Sequence, residues 1–231
     1  MTVVGIDGCR AGWLAVRWGA DGVEAAAHAR LADALALPSE LVAIDMPIGL
    51  LDAPEPGGRA CDREARRMLG KRGASVFSPL AREHLRAARF ADARGISLQS
   101  WNLRARIAEL DDALAPAEQG RVVESHPELA FAALAGAPLL APKRKAQGRG
   151  ARTMALRGID DDPFAPLLRV GPPRGARWDD LLDACALAWT ARRVADGRAR
   201  RVPESPPVDA RGLRMEIWVP ASPQSGASPK P

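Results

Sequence analysis

The apolar positions of this chain gather into short runs that end on an acid. Val3-Val4-Gly5-Ile6 leads into Asp7, Leu41-Val42-Ala43-Ile44 into Asp45, and Val122-Val123 into Glu124. A short apolar run bounded by turn-forming residues predicts a buried strand, because both of its faces must be covered. Gly8 and Gly12 let the first run reverse into Trp13-Leu14-Ala15-Val16-Arg17-Trp18, so residues 3–7 and 13–18 are expected to form a hairpin. Residues 22–29 supply a third, weaker strand, and 31–37 a short helix that Pro38 ends. With the strands at 41–44 and 121–124, the order predicts an α/β protein on a mixed sheet.

Between the fourth and fifth strands the texture changes. Residues 52–58 form a Pro/Gly loop, Cys61 to Leu69 has helical spacing and is stopped by Gly70 and Gly73, and Ser97 to Leu110 reads as another helix. Residues 52–118 are therefore expected to be an arginine-rich helical insertion, placed as a lid or cleft wall over one end of the sheet. Pro127 opens a further helix with Gly136 as its stop. The basic, Gly-containing stretch from Lys143 to Gly150 is expected to be mobile, and residues 171–177 to be a linker. Trp178 to Arg193 is a long Ala/Leu-rich helix with Asp179 as its expected N-cap. Residues 1–220 are expected to make one domain, and 221–231, rich in Pro, Ser and Gly, a disordered tail.

Composition narrows the classes. No stretch approaches the ~20 apolar residues of a membrane span, and the N-terminus lacks a charged-then-apolar leader, so a soluble cytoplasmic protein without a membrane partner is expected. Cys9, Cys61 and Cys185 are far apart and lack metal or disulfide spacing, which predicts small buried apolar groups. The net charge is +5. Among 33 basic residues only Lys71, Lys143, Lys145 and Lys230 are lysines, so Arg richness as such carries little weight. Its placement carries more. Twelve basic residues stand against four acidic ones between Arg59 and Arg106, and Lys143 to Arg157 holds six bases and no acid. Either cluster fits a phosphate-contacting surface or a solvated helix face. A nucleic-acid surface would use Arg10 together with Arg59, Arg66, Lys71, Arg72, Lys143, Arg144 and Lys145 from these clusters.

The acids suggest the chemistry. Asp7 fits either a tight-turn acceptor or a group held where a rigid strand meets a substrate-admitting loop. Asp180 is explained by its place in a first helical turn. Asp183 is not: it lies a turn later among Leu182, Ala184, Cys185 and Ala186, with no base three or four residues away. An acid there is costly unless a cation meets it. Asp7, Asp45 and Asp183, with Glu124 and Asp180 as additions, are the candidate catalytic and metal-ligating set. Two unit charges ~4 Å apart repel by roughly 4 kcal/mol at an effective dielectric of about 20, so such a cluster must raise its own pKa values or recruit a cation. Ligation by oxygen alone suits Mg²⁺ or Mn²⁺. His126 is expected to cap a helix or lie in the core.

Gly5-Ile6-Asp7-Gly8, Ala43-Ile44-Asp45-Met46-Pro47-Ile48-Gly49-Leu50, Glu124-Ser125-His126-Pro127-Glu128 and Asp180-Leu181-Leu182-Asp183-Ala184-Cys185-Ala186-Leu187-Ala188 together resemble a family of predicted nucleases, domain of unknown function 429. Gly58-Arg59, Asp62, Ala65-Arg66, Ser75 to Pro79 and Gly212 to Trp218 resemble it as well. The resemblance implies an RNase H-like fold, a mixed five-stranded sheet flanked by helices and carrying the helical insertion. The Ala-Ile-Asp strand and the Asp180–Asp183 helix are also similar to those of Holliday-junction resolvases. That likeness implies that Asp7, Asp45 and Asp183, with Asp180 as a second helix acid, ligate two Mg²⁺ ions. It further implies cleavage of nucleic acid and a homodimer. Asp45 departs from the pattern, since resolvases carry the longer Glu there. Two other readings remain: a catalytically silent binding module with the same fold, and an ATP-dependent phosphotransferase of the actin-like fold, which needs two such cores.

Overall fold

Seven residues, Val3–Cys9, form β1, and the alternation of their side chains organises the molecule. The computed structural model describes residues 1–90 and 97–223. β1 pairs antiparallel with β2 (Gly12–Gly19), which pairs antiparallel with β3 (Gly22–His28). On its other side β1 pairs parallel with β4 (Leu41–Ile44), and β4 with β5 (Val122–Glu124). The result is a mixed five-stranded sheet of order β3-β2-β1-β4-β5, flanked by helices, as the sequence predicts.

The period of two sends successive β1 residues to opposite faces. Val4 and Ile6, with Val42 and Ile44 of β4, pack against α1 (Leu31–Leu35) and against Ile107 and Leu110 of α3 (Leu98–Ala113). Between β4 and that helix lies α2 (Ala60–Leu69). Ser97 caps α3 by accepting the Ser100 N–H at 3.1 Å. Glu109 of α3 fixes the docking: its carboxylate accepts the Trp13 indole N–H at 2.9 Å and the Leu31 amide at 2.6 Å. The insertion is thereby stapled to the sheet. Residues 91–96 within it, and 224–231 of the expected tail, lie outside the described residues.

The opposite face carries the long helix. After α4 (Pro127–Ala135), α5 (Ala146–Arg157) and α6 (Ala165–Val170), α7 (Trp178–Ala195) runs across it, with Leu187 and Ala191 against Val3, Ala43 and Val123. Gly5 permits this approach: a Cβ there would lie 2.2 Å from the Ala184 carbonyl oxygen and 2.2 Å from the Ala188 nitrogen. A two-stranded ribbon, β6 (Ala199–Val202) and β7 (Ile217–Pro220), follows and is bridged to the sheet through Ser125 and Trp218.

Two local expectations are corrected. The stretch from Lys143 to Gly150, expected to be mobile, enters α5 at Ala146, where Arg152 anchors it by donating to the Ala141 carbonyl at 3.1 Å. α7 begins at Trp178 with Arg177, not Asp179, at the N-cap, because Asp180 accepts the Arg177 amide at 2.8 Å and so fixes the start of the helix. The three cysteines are buried and unpaired, as expected. Among the described residues no helix is long and apolar enough to cross a membrane.

Candidate functional site

Parallel pairing of β1 with β4 puts Ile6 beside Ile44, so the next residues, Asp7 and Asp45, leave the sheet at the same level of neighbouring strands. The Asp45 amide donates to the Ile6 carbonyl at 3.0 Å, which continues the register past the strand end. Alternation turns Asp7 to the face of Val3 and Gly5, the side covered by α7. Because α7 rests on Gly5 through Ala184 and Ala188, Asp183 one residue earlier is brought to the same strand ends. Asp7, Asp45 and Asp183 line one cleft of about 250 Å³.

From the segment between β4 and β5, Arg72, Ser75, Phe77, Gln99, Leu103 and Arg106 also line the cleft. Lys143 lines it as well. Its ammonium donates to Oδ2 of Asp183, from a side chain that is 38% exposed, to a carboxylate that is 1% exposed. This is the cation that the isolated acid on α7 demands, and it comes from 40 residues away. Oδ1 of Asp183 is buried without a hydrogen-bond partner.

The electrostatics follow from burial and crowding. Burial, then the charges of Asp183 and Asp45, raise the Asp7 carboxyl well above its ordinary value against the pull of Lys143. Burial raises Asp183 to about 6, opposed by Lys143 and helped by Asp45 and Glu128. For Lys143, burial alone would lower the pKa, but the carboxylates of Asp183 and Asp7 outweigh it and hold the ammonium above its usual range. Buried acids with raised values ionise at a cost to folding. Their contribution is favourable while the folded protein keeps the extra proton, and it is lost as pH rises from the ordinary carboxylate value to the folded one. For Asp183 that window runs from 3.8 to about 6. In chelator, the wild-type Tm is expected to fall between about pH 4 and about pH 6, and Asp183→Asn to show a flatter profile. Parallel profiles in thermal melts of the two proteins would remove Asp183 from this account.

Other expected site residues lie elsewhere. Glu124 is paired by register with Ile44, not with Asp45. One residue of offset reverses the face, and Glu124 does not line the acid cleft, although it borders a small cavity beside Asp45. It accepts from Arg59 at 2.6 and 2.8 Å and from the Ile48 amide at 2.7 Å. Arg59, expected on a nucleic-acid surface, is 1% exposed and also binds Asp62 at 2.7 Å, so it cannot reach a ligand in solution. Asp180 is committed to the helix start. Burial raises its pKa against the Arg177 amide. Arg66 spends its donors on the Val76 and Gly57 carbonyls and on Ser78 Oγ, at 2.8, 2.7 and 2.6 Å. Arg10, Lys71, Arg144 and Lys145 are exposed. Arg144 approaches Asp179 at 3.5 Å.

His126 caps α4: its Nδ1 accepts the Glu128 amide at 3.2 Å, so its Nε2–H is left to donate to the Ser75 carbonyl at 3.1 Å. Both ring nitrogens are occupied in the neutral form. Two charged lining residues escape sequence reasoning. Arg106 reaches the Cys9 carbonyl from α3, and Glu128 is held by the fully buried Arg152 at 2.6 Å and by Arg72 at 3.0 Å. The only signal for Arg106 is its place in the basic insertion. For Glu128 it is the motif following Glu124.

A carboxylate-only donor set and an unpartnered buried oxygen on Asp183 suit a hard divalent cation in kind. In arrangement, no group of three or more His, Cys, Asp or Glu side chains among the described residues is placed to hold a metal ion. Lys143 takes the cation's position at Asp183. Among known proteins, a family model described as protein of unknown function (DUF429) matches residues 5–208. Neither a curated protein nor a solved structure matches the chain.

Proposed function

This chain belongs to the DUF429 family, whose function is unknown, and from the cleft itself we propose that it hydrolyses phosphodiester bonds of nucleic acid with Mg²⁺ or Mn²⁺ on an RNase H-like scaffold. The observation that carries this reading is the convergence of Asp7, Asp45 and Asp183 on one cleft from two strand ends and a helix. The strand order, three antiparallel strands followed by two parallel ones, supports the RNase H-like assignment and, with the acid on α7, kinship with Holliday-junction resolvases.

In this reading Asp7, Asp45 and Asp183 are the residues that would hold the metal, and Lys143 would have to give up Asp183 for them to do so. A metal held there would supply an activated water and charge for the leaving oxygen. Arg72 and Arg106 in the same cleft neutralise the phosphates that approach the acids. Lys143, once displaced, remains within reach of the same phosphates, because the start of α5 anchors its segment.

Metal binding is tested without reference to cleavage. A ligand at 100 times its Kd adds about 2.7 kcal/mol, which for a chain of this size raises Tm by about 5–11 °C. Saturating Mg²⁺ or Mn²⁺ is expected to produce a rise of this order, which Asp45→Asn abolishes. Lys143→Met removes the competing cation and is expected to lower Tm in chelator while enlarging the metal-induced rise. The salt bridge already on Asp183 favours a second reading, a catalytically silent binding module, and the absence of any shift with either ion in both proteins would select it.

A further inference from the structure

A second cavity of about 290 Å³ adjoins the acid cleft, and Phe77 and Gln99 line both. Its remaining lining differs in character. Leu51, Ser78 and Ser97 face it with Glu55, and among the described residues neither Lys nor Arg does. Such a lining does not favour phosphate. An aromatic ring among hydroxyls, an amide and a carboxylate offers a surface for a flat ring with hydrogen-bonding edges. Its size lies just below the ~300–1,000 Å³ of small-molecule sites.

The wall between the two cavities is built rather than incidental. Arg66 ties the Gly57 carbonyl, the Val76 carbonyl and Ser78 Oγ together, and so clamps the 57–58 turn and the 76–78 segment to α2. Gly58 has a φ of +73°, and a Cβ there would lie 2.4 Å from Ser78 Oγ, so only glycine lets the turn close against Ser78. Ser78 accepts from Arg66 and keeps its own O–H to donate.

We propose that this cavity receives an unpaired nucleobase of the strand whose phosphodiester lies in the acid cleft, with Phe77 as the stacking wall and Ser78, Ser97 and Gln99 meeting the base edge. This rests on the reading of the acid cleft as the phosphodiester site, and it names single-stranded or locally unpaired nucleic acid as the substrate class. A paired base cannot enter, because its edge is occupied and its faces are stacked. It must first leave the duplex. Stacking of one base on an aromatic side chain corresponds to about 5- to 150-fold in affinity.

Ala74 is exposed and lines this cavity but not the acid cleft, so Ala74→Trp blocks the cavity without burying new volume in the core. The experiment is fluorescence anisotropy in Mg²⁺ with two labelled, cleavage-resistant phosphorothioate strands of equal length, one bearing bases and one abasic. Wild type is expected to bind the base-bearing strand at least about fivefold tighter. Ala74→Trp is expected to erase that difference while leaving affinity for the abasic strand unchanged. Equal binding of the two strands by wild type, a preference that survives Ala74→Trp, or equal weakening of both strands overturns the proposal. Loss of binding to every strand overturns it together with the nuclease reading. Base discrimination, with no Mg²⁺-dependent cleavage of the base-bearing strand when it is supplied with ordinary phosphodiester linkages, overturns the nuclease reading alone.

Discussion

Arg59→Met is expected to lower Tm by about 6–20 °C, because removing one member of a buried ion cluster costs about 3–5 kcal/mol and each kcal/mol moves Tm by about 2–4 °C at this size. The Arg59 guanidinium donates to Asp62, to both oxygens of Glu124 and to the Ile48 and Gly49 carbonyls. Burial alone would lower its pKa, but Asp62 and Glu124 outweigh this and hold the charge in place. Methionine fills similar volume and donates nothing, so two buried carboxylates lose their charged partner and keep backbone amides, and two carbonyls lose a donor. The consequence reaches the cleft, since Ile48 and Gly49 belong to the turn that follows Asp45. Adding Glu124→Leu and Asp62→Leu to Arg59→Met should recover part of the loss by removing the stranded charges. Thermal melts followed by circular dichroism check both. A single variant within about 2 °C of wild type, less than the expected shift, would show that the cluster contributes little.

Asp7→Asn is expected to reduce metal-dependent cleavage of a single-stranded substrate by roughly 10²–10³-fold or more, the scale of losing one preorganised electrostatic contact to the transition state. Its effect on stability has the opposite sign. Asp7 is buried and pushed up first by burial and then by Asp183 and Asp45, so its ionised form opposes folding at neutral pH. In chelator the variant should therefore melt above wild type, and in saturating Mg²⁺ the order should reverse because the variant no longer gains from the ion. A merely structural aspartate, accepting the Gly8 amide at 2.8 Å, would lower Tm in both conditions when replaced. That outcome would withdraw Asp7 from the site.

The strands were legible because each apolar run is short, bounded by glycine or proline and ended by an acid. The same pattern located Asp7 and Asp45 and marked Asp183 as an acid in need of a cation. It misplaced Glu124, whose run looks like the other two. Only the pairing of Ile44 with Glu124 shows that this acid sits one position off the level of Asp7 and Asp45 and outside the acid cleft, bound instead to Arg59. Charge counts place Arg59 and Arg66 on a binding surface because they do not distinguish an arginine spent on carbonyls and carboxylates from one offered to a phosphate. Arg59 is a buried clamp, and Arg66 a half-buried one.

By itself, the order of residues determined which segments become strands and helices and which acids stand at their ends, since those follow from local periodicity and turn chemistry. What only the tertiary structure decided is who meets whom. The close approach of α7 over Gly5 carries Asp183 to Asp7, register sets Glu124 outside the acid cleft, and a segment 40 residues distant delivers Lys143 to Asp183. The physical reason is that a buried charge selects its partner by position in the folded molecule, where desolvation makes an unpaired carboxylate costly, and no spacing along the chain records that position.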